Sequence, residues 1–515
     1  MALLRGIATI GANTMASRVL GFVRDVMMAA LVGAGGMADA FFVAFQFPNL
    51  FRRLFAEGAF NSAFVPLFAG TLQTQGQDAA REFAGRALSV LLAVVIPFTI
   101  LVEIAMPWLM LGFAPGFAAD AGKFALAVQF TRICFPYLLF MALVSMLGAV
   151  VNAIDRFAVA AAAPILLNII MILALLGPVH WTTTSGHALA WAVALAGIAQ
   201  FLWLAQDAAR AGMLPSLPAP RLTPDIRRLF ALMLPGIFGA SVFQLNQWLG
   251  TVLASLLPSG AISYLWYADR VNQLPLSVVG VAVGVALLPL LSRQLRAGAL
   301  DAARANQNRA IEFALLLTLP AAAALLVSAW PIIAVLFQRG AFDWQATDRT
   351  AATLTAFATG LPAYVLIKAL SPGFFAREDM TTPVKIGVAS MVVNITVAAA
   401  LMIPFQQIGI AVATSASAWV NALALGWVLW RRGFLEPDAR LKARLVRIVA
   451  ATLLMAAALA ATQWGLDEQF RASTLNRVAA LCVLIGTGLA VFGAACLALG
   501  AARLGDLRAA FGRKT

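Results

Sequence analysis

Residues 78–87 read DAAREFAGRA, and residues 301–310 read DAARANQNRA. Six of the ten positions are identical at an offset of 223 residues, and both arginines of the first segment recur in the second. Offsets equal or close to this one also relate Pro66 to Pro289, Pro97 to Pro320, Pro136 to Pro362 and Asn168 to Asn394. A register kept over so much of the chain indicates an internal duplication.

The chain that carries this repeat is strongly apolar. Of its 515 residues, 62% are hydrophobic and 11% are charged, whereas a soluble domain carries about a quarter charged residues. A helical membrane span needs about 20 apolar residues, and a porin-like barrel is excluded because its strands alternate and run about 10 residues. The sequence therefore predicts an all-α polytopic membrane protein with about 14 transmembrane helices. The candidate spans are 3–32, 37–70, 81–112, 121–152, 156–178, 186–207, 226–257, 262–293, 304–337, 347–376, 381–402, 407–431, 440–463 and 473–503.

The repeat and the spans together predict the domain organisation. Two six-helix lobes cover residues 1–207 and 226–431, and two extra C-terminal helices cover 440–503. A Pro-rich, basic segment, residues 208–225, reads as a cytoplasmic linker between the lobes. Because each lobe has an even number of spans, the repeats are parallel, an arrangement that suits rocking alternating access in a transporter.

Lysine and arginine are distributed unevenly between the two sides of the membrane. Of the 36 such residues, 24 fall in the termini and in every second loop, and seven fall within spans. The opposite loops hold only Lys123, Arg339, Arg349, Arg471 and Arg477. This bias predicts that both termini are cytoplasmic. It also attributes the net charge of +14 to topology and to contact with anionic membrane lipids, with no nucleic-acid partner.

Five of the seven lysines and arginines within spans are arginines of the first, second and eighth spans, namely Arg18, Arg24, Arg52, Arg53 and Arg270. An arginine at the centre of a membrane helix costs about 2.5–3.5 kcal/mol on insertion scales. Most of them should therefore face protein or a water-filled cavity. One interpretation is a set of ion pairs that fix helix register. The other is an arginine-lined cavity for a phosphate-bearing or otherwise anionic cargo, because the guanidinium group binds phosphate through two hydrogen bonds.

The neighbours of these arginines refine the second interpretation. Arg53 and Glu57 are spaced to pair on one helix face, whereas Arg52 points about 100° away and is the better candidate ligand. Ser17 and Arg24 lie within about 20° of each other on the first span. Further carboxylates on these spans are Asp25, Asp39 and Asp269.

Two long stretches carry a family resemblance. Residues 13–68, NTMASRVLGFVRDVMMAALVGAGGMADAFFVAFQFPNLFRRLFAEGAFNSAFVPLF, and residues 267–293, YADRVNQLPLSVVGVAVGVALLPLLSR, closely resemble the MurJ/MviN family of bacterial lipid II flippases. That family belongs to the multidrug/oligosaccharidyl-lipid/polysaccharide exporter superfamily. The resemblance implies a multi-pass carrier in the bacterial cytoplasmic (inner) membrane. Its cargo would be lipid II, the undecaprenyl-pyrophosphate disaccharide-pentapeptide used in peptidoglycan biosynthesis, cell wall biogenesis and cell shape.

The resemblance also implies residue roles. The headgroup-binding arginines of the family fall on Arg18, Arg24, Arg52 and Arg270, and the supporting cavity residues fall on Ser17, Asp25, Asp39, Arg53, Glu57 and Asp269. The two C-terminal helices would form a groove for the polyprenyl tail. The expected protein is a monomeric transporter and not an enzyme, without cofactor or metal, and the cell-wall synthesis machinery is a candidate partner.

Two features of the chain depart from some relatives. Gln273 stands where some relatives have an acid. Sodium-binding relatives carry acids on helices 7 and 11, but here no acid lies between Arg227 and Pro258, and Ala398 follows four residues after Asn394. Sodium coupling is therefore disfavoured, while the membrane potential or a proton gradient stays open as the energy source.

Other functions remain open at this point. A flippase for another polyprenyl-pyrophosphate-linked glycan would use the same arginines, whereas an exporter of cationic drugs would need acids in the cavity. A membrane enzyme acting on lipid-linked sugars would need a carboxylate or histidine constellation at a membrane surface. A scaffold of the division or elongation machinery would tolerate the loss of every cavity arginine.

Overall fold

A computed structural model describes residues 2–53, 60–177 and 182–501 of the chain. Within these ranges every regular element is a helix, which confirms the predicted all-helical class. Long runs of Ala, Val, Leu and Ile leave few side chains that could compete with the backbone for hydrogen bonds. A lipid environment also requires the backbone to satisfy its own polar groups, which a helix does.

The helices fall into two compact units. The first comprises residues 1–263 together with 339–342, and the second comprises residues 264–338 and 343–515. The helices that begin in the first unit are α1 (Ala2–Val32), α2 (Gly36–Phe51), α3 (Asn61–Phe113), α4 (Ala121–Cys134), α5 (Tyr137–Ala153), α6 (Phe157–Leu176), α7 (Ser185–Arg210), α8 (Pro224–Ser255) and α9 (Ala261–Arg296). Those of the second unit are α10 (Leu300–Phe337), α11 (Trp344–Ala358), α12 (Leu361–Phe375), α13 (Thr381–Arg431), α14 (Ala439–Gly465), α15 (Asp467–Arg471) and α16 (Thr474–Ala498).

Nine helical runs in the described part of the chain are long and apolar enough to cross a membrane, counting α4 with α5 and α11 with α12 as single runs. This finding confirms a polytopic membrane protein. Two of the nine, in α3 and α13, are 51 residues long. At 1.5 Å per residue such a run measures about 77 Å, more than twice the thickness of the hydrocarbon layer of about 30 Å.

Two breaks inside helical runs fall between candidate spans, and two others divide candidate spans. Gly76 interrupts α3 with φ 86°, and Gln406 interrupts α13 with φ 50°. The predicted span 121–152 is divided between α4 and α5 at Phe135 and Pro136. The span 347–376 is likewise divided between α11 and α12, just before Pro362. Proline has no backbone N–H to donate, so it favours a break at these positions.

Each unit has its own apolar core. In the first unit α3 packs against α5 and α8, and the rings of Phe60, Phe64 and Phe68 stack in sequence along α3. In the second unit α10 packs against α12 and α14, with Leu315 and Phe374 among the buried residues. The helices α3 and α10 carry the two copies of the sequence repeat, and each is central to the core of its own unit.

The repeated arginines make corresponding contacts. Arg81 Nε donates to the carbonyl oxygen of Leu214 at 2.8 Å, just beyond the end of α7. Arg304 Nε and Nη2 donate to the carbonyl oxygen of Gly433 at 2.9 and 2.7 Å, just beyond the end of α13. The second repeat position behaves similarly, since Arg86 lies 4.0 Å from Asp225 and Arg309 pairs with Asp438. These shared contacts support the internal duplication.

Contacts between segments distant in sequence agree with the charge-based topology. Arg81 and Leu214 lie in segments that both belong to the arginine-rich side, and so do Arg304 and Gly433. On the charge-poor side, Lys123 contacts Ser259. Each of these contacts joins segments that the alternating distribution of lysine and arginine assigns to the same side.

Candidate functional site

Arg24 is buried in the first unit, at the contact between α1 and α6, and is 5% exposed. The guanidinium group donates from Nε and Nη2 to Asp25 Oδ1 at 3.0 and 2.7 Å, and from Nη1 to Asn168 Oδ1 at 2.9 Å. The ring of Phe45 lies 5.9 Å away. The charge of Arg24 is therefore compensated within the protein, as burial in a membrane requires.

Asn168 joins Arg24 to Ser17. Its amide group donates from Nδ2 to the carbonyl oxygen of Ser17 at 3.0 Å and lies 3.4 Å from the Ser17 hydroxyl, while its Oδ1 accepts from Arg24. Gly21 lies between these two residues on α1, where a Cβ would contact the Asn168 amide at 3.5 Å. One buried amide thus contacts two predicted site residues, which lie on the same face of α1.

The other arginines of the first unit differ from Arg24 in their surroundings. Arg18 is exposed on α1. Arg52 is half-buried at the end of α2, where its Nε donates to Asn49 Oδ1 at 2.9 Å. Arg53 is exposed. Its predicted partner Glu57 lies outside the described residues, so their pairing stays a prediction.

Arg270 and Asp269 belong to the second unit, in the first half of α9. The guanidinium group of Arg270 lies over the ring of Trp266, 4.5 Å from its centroid, one turn earlier on the same helix. Asp269 accepts a hydrogen bond from Gln273, the residue at which this chain departs from some relatives. Both charged side chains are half-buried.

Asp39 is engaged on the charge-poor side of the first unit, and its side chain is 1% exposed. Oδ2 accepts from Lys123 Nζ at 2.8 Å and from the backbone N–H of Gly260 at 2.7 Å. Oδ1 accepts from the backbone N–H and the hydroxyl of Ser263, at 2.9 and 2.7 Å. Asp39 therefore caps the N-terminus of α9, where unpaired N–H groups and the helix dipole favour a negative charge.

The same side of the first unit contains a close backbone contact. The backbone N–H of Ala341 donates to the carbonyl oxygen of Ala30 at 2.8 Å, at the end of α1. Gly340 has φ +57°, and a Cβ on it would overlap that carbonyl oxygen. Glycine is therefore needed at position 340, both for its backbone conformation and for this close approach.

Three residues of these networks were not identified as site residues from the sequence. The repeat marks Asn168 only as a matching position, but a lone amide in the apolar run PILLNIIMILALL is itself a signal of a buried polar contact. The charge distribution predicts a loop position for Lys123, but it is 7% exposed and lies in the first turn of α4. Ser263 gave no signal beyond its position near the start of a span. All three act through contacts between helices that are distant in sequence.

The chemistry available at these residues is electrostatic. In the described part of the chain, no group of three or more His, Cys, Asp or Glu side chains is placed to hold a metal ion. The first unit presents Arg18 exposed, Arg52 half-buried and Arg24 buried, along α1 and the end of α2. Guanidinium groups in partly buried surroundings bind anionic oxygens, and phosphate oxygens above all.

Comparison with known proteins identifies the relatives of this chain. Residues 28–477 match the family model described as lipid II flippase MurJ. A probable lipid II flippase MurJ from Rhizobium meliloti (strain 1021) is 44% identical, over 99% of this chain and 96% of the relative. A lipid II flippase MurJ from Burkholderia cenocepacia is 35% identical, over 95% of this chain and 96% of the relative.

Solved structures show the same fold. A lipid II flippase MurJ in an inward closed conformation superposes with a TM-score of 0.79 at 23% identity, covering 94% of this chain and 97% of that one. An inward-facing multidrug resistance MATE family transporter of the MOP superfamily superposes with a TM-score of 0.70 at 13% identity, covering 83% and 98%.

Proposed function

This chain belongs to the family of lipid II flippases named MurJ, and we propose that it carries lipid II from the inner to the outer leaflet of the bacterial cytoplasmic membrane. The observation that carries this proposal is the relationship over the full length of the chain, at 44% identity to one relative. Transport, and not chemical conversion of the lipid, is the activity of this family.

The headgroup of lipid II contains a pyrophosphate, and we assign its binding to Arg18, Arg24, Arg52 and Arg270. Support comes from the different solvent exposure of the first three side chains. Arg18 is exposed and Arg52 is half-buried, so an entering anion can reach both side chains. Arg24 is held by Asp25 and Asn168. A pyrophosphate oxygen could replace the Asp25 carboxylate there, since both offer anionic oxygens to the same N–H groups.

The supporting assignment covers Ser17, Asp25, Asp39, Arg53, Glu57 and Asp269. Ser17 and Asp25 act beside Arg24, through Asn168 and directly. Asp39 does not contact these residues; its carboxylate accepts hydrogen bonds from Lys123 and from Ser263 at the start of α9. Arg53 with Glu57, and Asp269 with Arg270, keep the roles inferred from the sequence, which are to balance charge and to hold their helices.

We further propose fourteen membrane spans. Dividing the two 51-residue runs at Gly76 and Gln406 raises the nine apolar runs to eleven. The helices α1, α8 and α9 supply three more, because each contains a long apolar stretch of sequence. In this assignment the second span is 37–70, part of which lies outside the described residues. The lobes are residues 1–207 and 226–431, joined by the linker 208–225, and residues 440–503 form the groove for the polyprenyl tail.

Orientation and energy source complete the proposal. Both termini lie in the cytoplasm, because the arginine-rich loops are the cytoplasmic ones. Transport is driven by the membrane potential or by an ion gradient other than sodium, since the acids of sodium-binding relatives are missing from the seventh and eleventh candidate spans, residues 226–257 and 381–402. The protein acts as a monomer among membrane lipids, with the cell-wall synthesis machinery as a candidate partner.

A reconstituted system tests the cargo. The purified chain would be placed in lipid vesicles with lipid II or with a polyprenyl-pyrophosphate carrying a different glycan, and transfer between leaflets would be measured for each. Faster transfer of lipid II than in protein-free vesicles supports the proposal. Transfer of only the other glycan would reassign the cargo within the same superfamily.

A further inference from the structure

Lys123 lies in a position that a lysine side chain rarely occupies. It falls in the first turn of α4 on the charge-poor side of the chain, yet its side chain is 6% exposed. The ammonium group donates to Asp39 Oδ2 at 2.8 Å and to Ser259 Oγ at 3.3 Å, and it lies 4.2 Å from the centre of the Phe117 ring. A buried ammonium group is tolerated only when it is paired and hydrogen-bonded.

The acids on neighbouring elements leave Asp39 as the carboxylate partner of this ammonium group. Asp120 is the nearest acid in sequence, but its carboxylate accepts from the backbone N–H groups of Gly122 and Lys123 and so caps α4. Asp39 comes from α2, and its remaining hydrogen bonds go to Gly260 and Ser263 at the start of α9. Lys123 therefore reaches the start of α9 through Asp39.

In this cluster a negative carboxylate lies between two positive groups. The N-terminus of α9 carries a partial positive charge, and Lys123 carries a full one. Asp39 lies between them and attracts both, whereas they repel each other. Without Asp39, two positive groups would be buried side by side. Without Lys123, the carboxylate would keep three donors from Gly260 and Ser263 but lose its full counter-charge.

We propose that Lys123 is a positioning residue for transport, which holds Asp39 on the N-terminus of α9 and thereby keeps the charge-poor end of the first unit closed. The inference rests on the proposed function, because delivery of a headgroup to the outer leaflet requires the charge-poor, periplasmic end to open. Opening must withdraw the start of α9 from Asp39, and the Lys123–Asp39 pair sets how readily this happens.

The variants have a predicted order. Asp39→Asn leaves a buried ammonium group without its carboxylate partner, and this variant is expected to open the charge-poor end of the first unit most. Lys123→Met leaves a carboxylate that the helix N-terminus still stabilises, and its effect is smaller. Lys123→Arg keeps the charge and stays close to the parent. The double variant Asp39→Asn/Lys123→Met removes both charges and is less open than Asp39→Asn alone, because a buried pair replaced as a whole costs much less than one broken pair.

Accessibility of a single introduced thiol measures this order without depending on the cargo. The three native cysteines, Cys134, Cys482 and Cys496, are replaced by alanine. Ala261, the first residue of α9, is 2% exposed, and the reporter is Ala261→Cys. A membrane-impermeant thiol reagent is then added from outside to cells that produce the full chain.

Gln469→Cys, an exposed position in α15, serves as the reactive control. Ser216→Cys, in the cytoplasmic linker, serves as the unreactive control.

The expected result is that Lys123→Met raises the labelling rate of the Ala261→Cys reporter by about tenfold. This is less than a broken buried pair alone implies, because the N-terminus of α9 still stabilises the carboxylate. Lys123→Arg is expected to raise the rate less than twofold. Equal labelling of the parent and Lys123→Met, in protein that reaches the membrane at parent levels, would overturn the proposal. If Lys123→Met is not produced, labelling of the double variant equal to that of Asp39→Asn would overturn it as well. Failure of the parent to transport lipid II would refute the proposed function but leave this labelling order intact.

Discussion

Arg24 and Asn168 meet across the contact between α1 and α6, with Arg24 Nη1 2.9 Å from Asn168 Oδ1. The arginine assigned to the headgroup is therefore oriented by a neutral amide from a different helix, while Asp25 compensates its charge. An anion that enters this region meets a guanidinium group whose plane is already fixed. Pre-orientation of this kind lowers the entropy lost on binding.

Replacing Asn168 by leucine tests this orientation. Asn168→Leu keeps a side chain of similar size but removes the hydrogen bonds to Arg24 and Ser17. Interhelical hydrogen bonds in membrane proteins contribute about 0.6 kcal/mol on average and up to about 1.7 kcal/mol, so the melting temperature should fall only slightly. Lipid II transport should fall by more than this loss of stability explains. Transport at the parent rate would show that Asn168 does not orient Arg24 for function.

The two repeated arginines predict different losses of stability. Arg81→Met removes one hydrogen bond to Leu214 and should cost about 0.5–1.5 kcal/mol. Arg304→Met removes two hydrogen bonds to Gly433 and an ion pair with Glu436 at 3.2 Å, so it should cost about 1.5–3 kcal/mol. Arg221→Met, at an exposed linker position, is the matched control. Melting temperatures of the purified variants would reveal the order, and a reversed order of Arg81 and Arg304 would contradict it.

Asp379 predicts a pH dependence on the arginine-rich side. Hydrogen bonds from the hydroxyl and the backbone N–H of Thr382, and then from Arg432, lower the pKa of Asp379 to about 2. Because its pKa is lower in the folded chain, the stability that this carboxylate contributes is complete above its ordinary pKa of 3.8. It is lost as the pH falls toward about 2.

The matched variant is Asp379→Asn. Its melting temperature should lie below that of the parent by a constant amount from about pH 5 to about pH 8, and the difference should shrink between about pH 4 and about pH 2. A difference that stays constant down to the lowest pH would show that the carboxylate contributes nothing through its charge.

Gly340 predicts a strict requirement for glycine. Gly340→Ala would place a Cβ against the carbonyl oxygen of Ala30, at a residue with φ +57°, and should cost about 1–3 kcal/mol. Gly35→Ala is the control, because position 35 has open space around it and an extended backbone with φ −165°. Thermal unfolding of both variants provides the comparison. Equal melting temperatures would mean that the contact between residues 340 and 30 is not tight.

Parts of the structure followed directly from the sequence, and the reasons are physical. Apolar runs of about 20 residues indicate the helical class. The repeated segment DAAR contains the two arginines, Arg81 and Arg304, that make matching contacts. Spacing along one helix was enough to place Ser17 and Arg24 on the same face, since both contact Asn168. Each of these properties depends on local sequence or on distribution over the whole chain.

Other parts depended on packing that no local pattern reveals. The charge distribution along the sequence places Lys123 in a loop, whereas in the structure its ammonium group donates to Asp39, which lies 84 residues away in the chain. The family resemblance groups Asp39 with the arginines, but in the structure its carboxylate accepts hydrogen bonds from Lys123, Gly260 and Ser263. The break at Gln406, by contrast, falls between the candidate spans 381–402 and 407–431.

Lipid II on the outer leaflet is the most direct measure of the proposed transport. In a bacterium whose own flippase can be switched off, this chain, Arg24→Ala and Arg52→Ala would be produced at matched levels, with Arg221→Met as a control. The parent and the control should restore lipid II on the outer leaflet, and the two alanine variants should not. If the parent is inserted correctly but restores none, the assignment of lipid II as cargo is wrong. If the alanine variants match the parent, these arginines do not bind the headgroup.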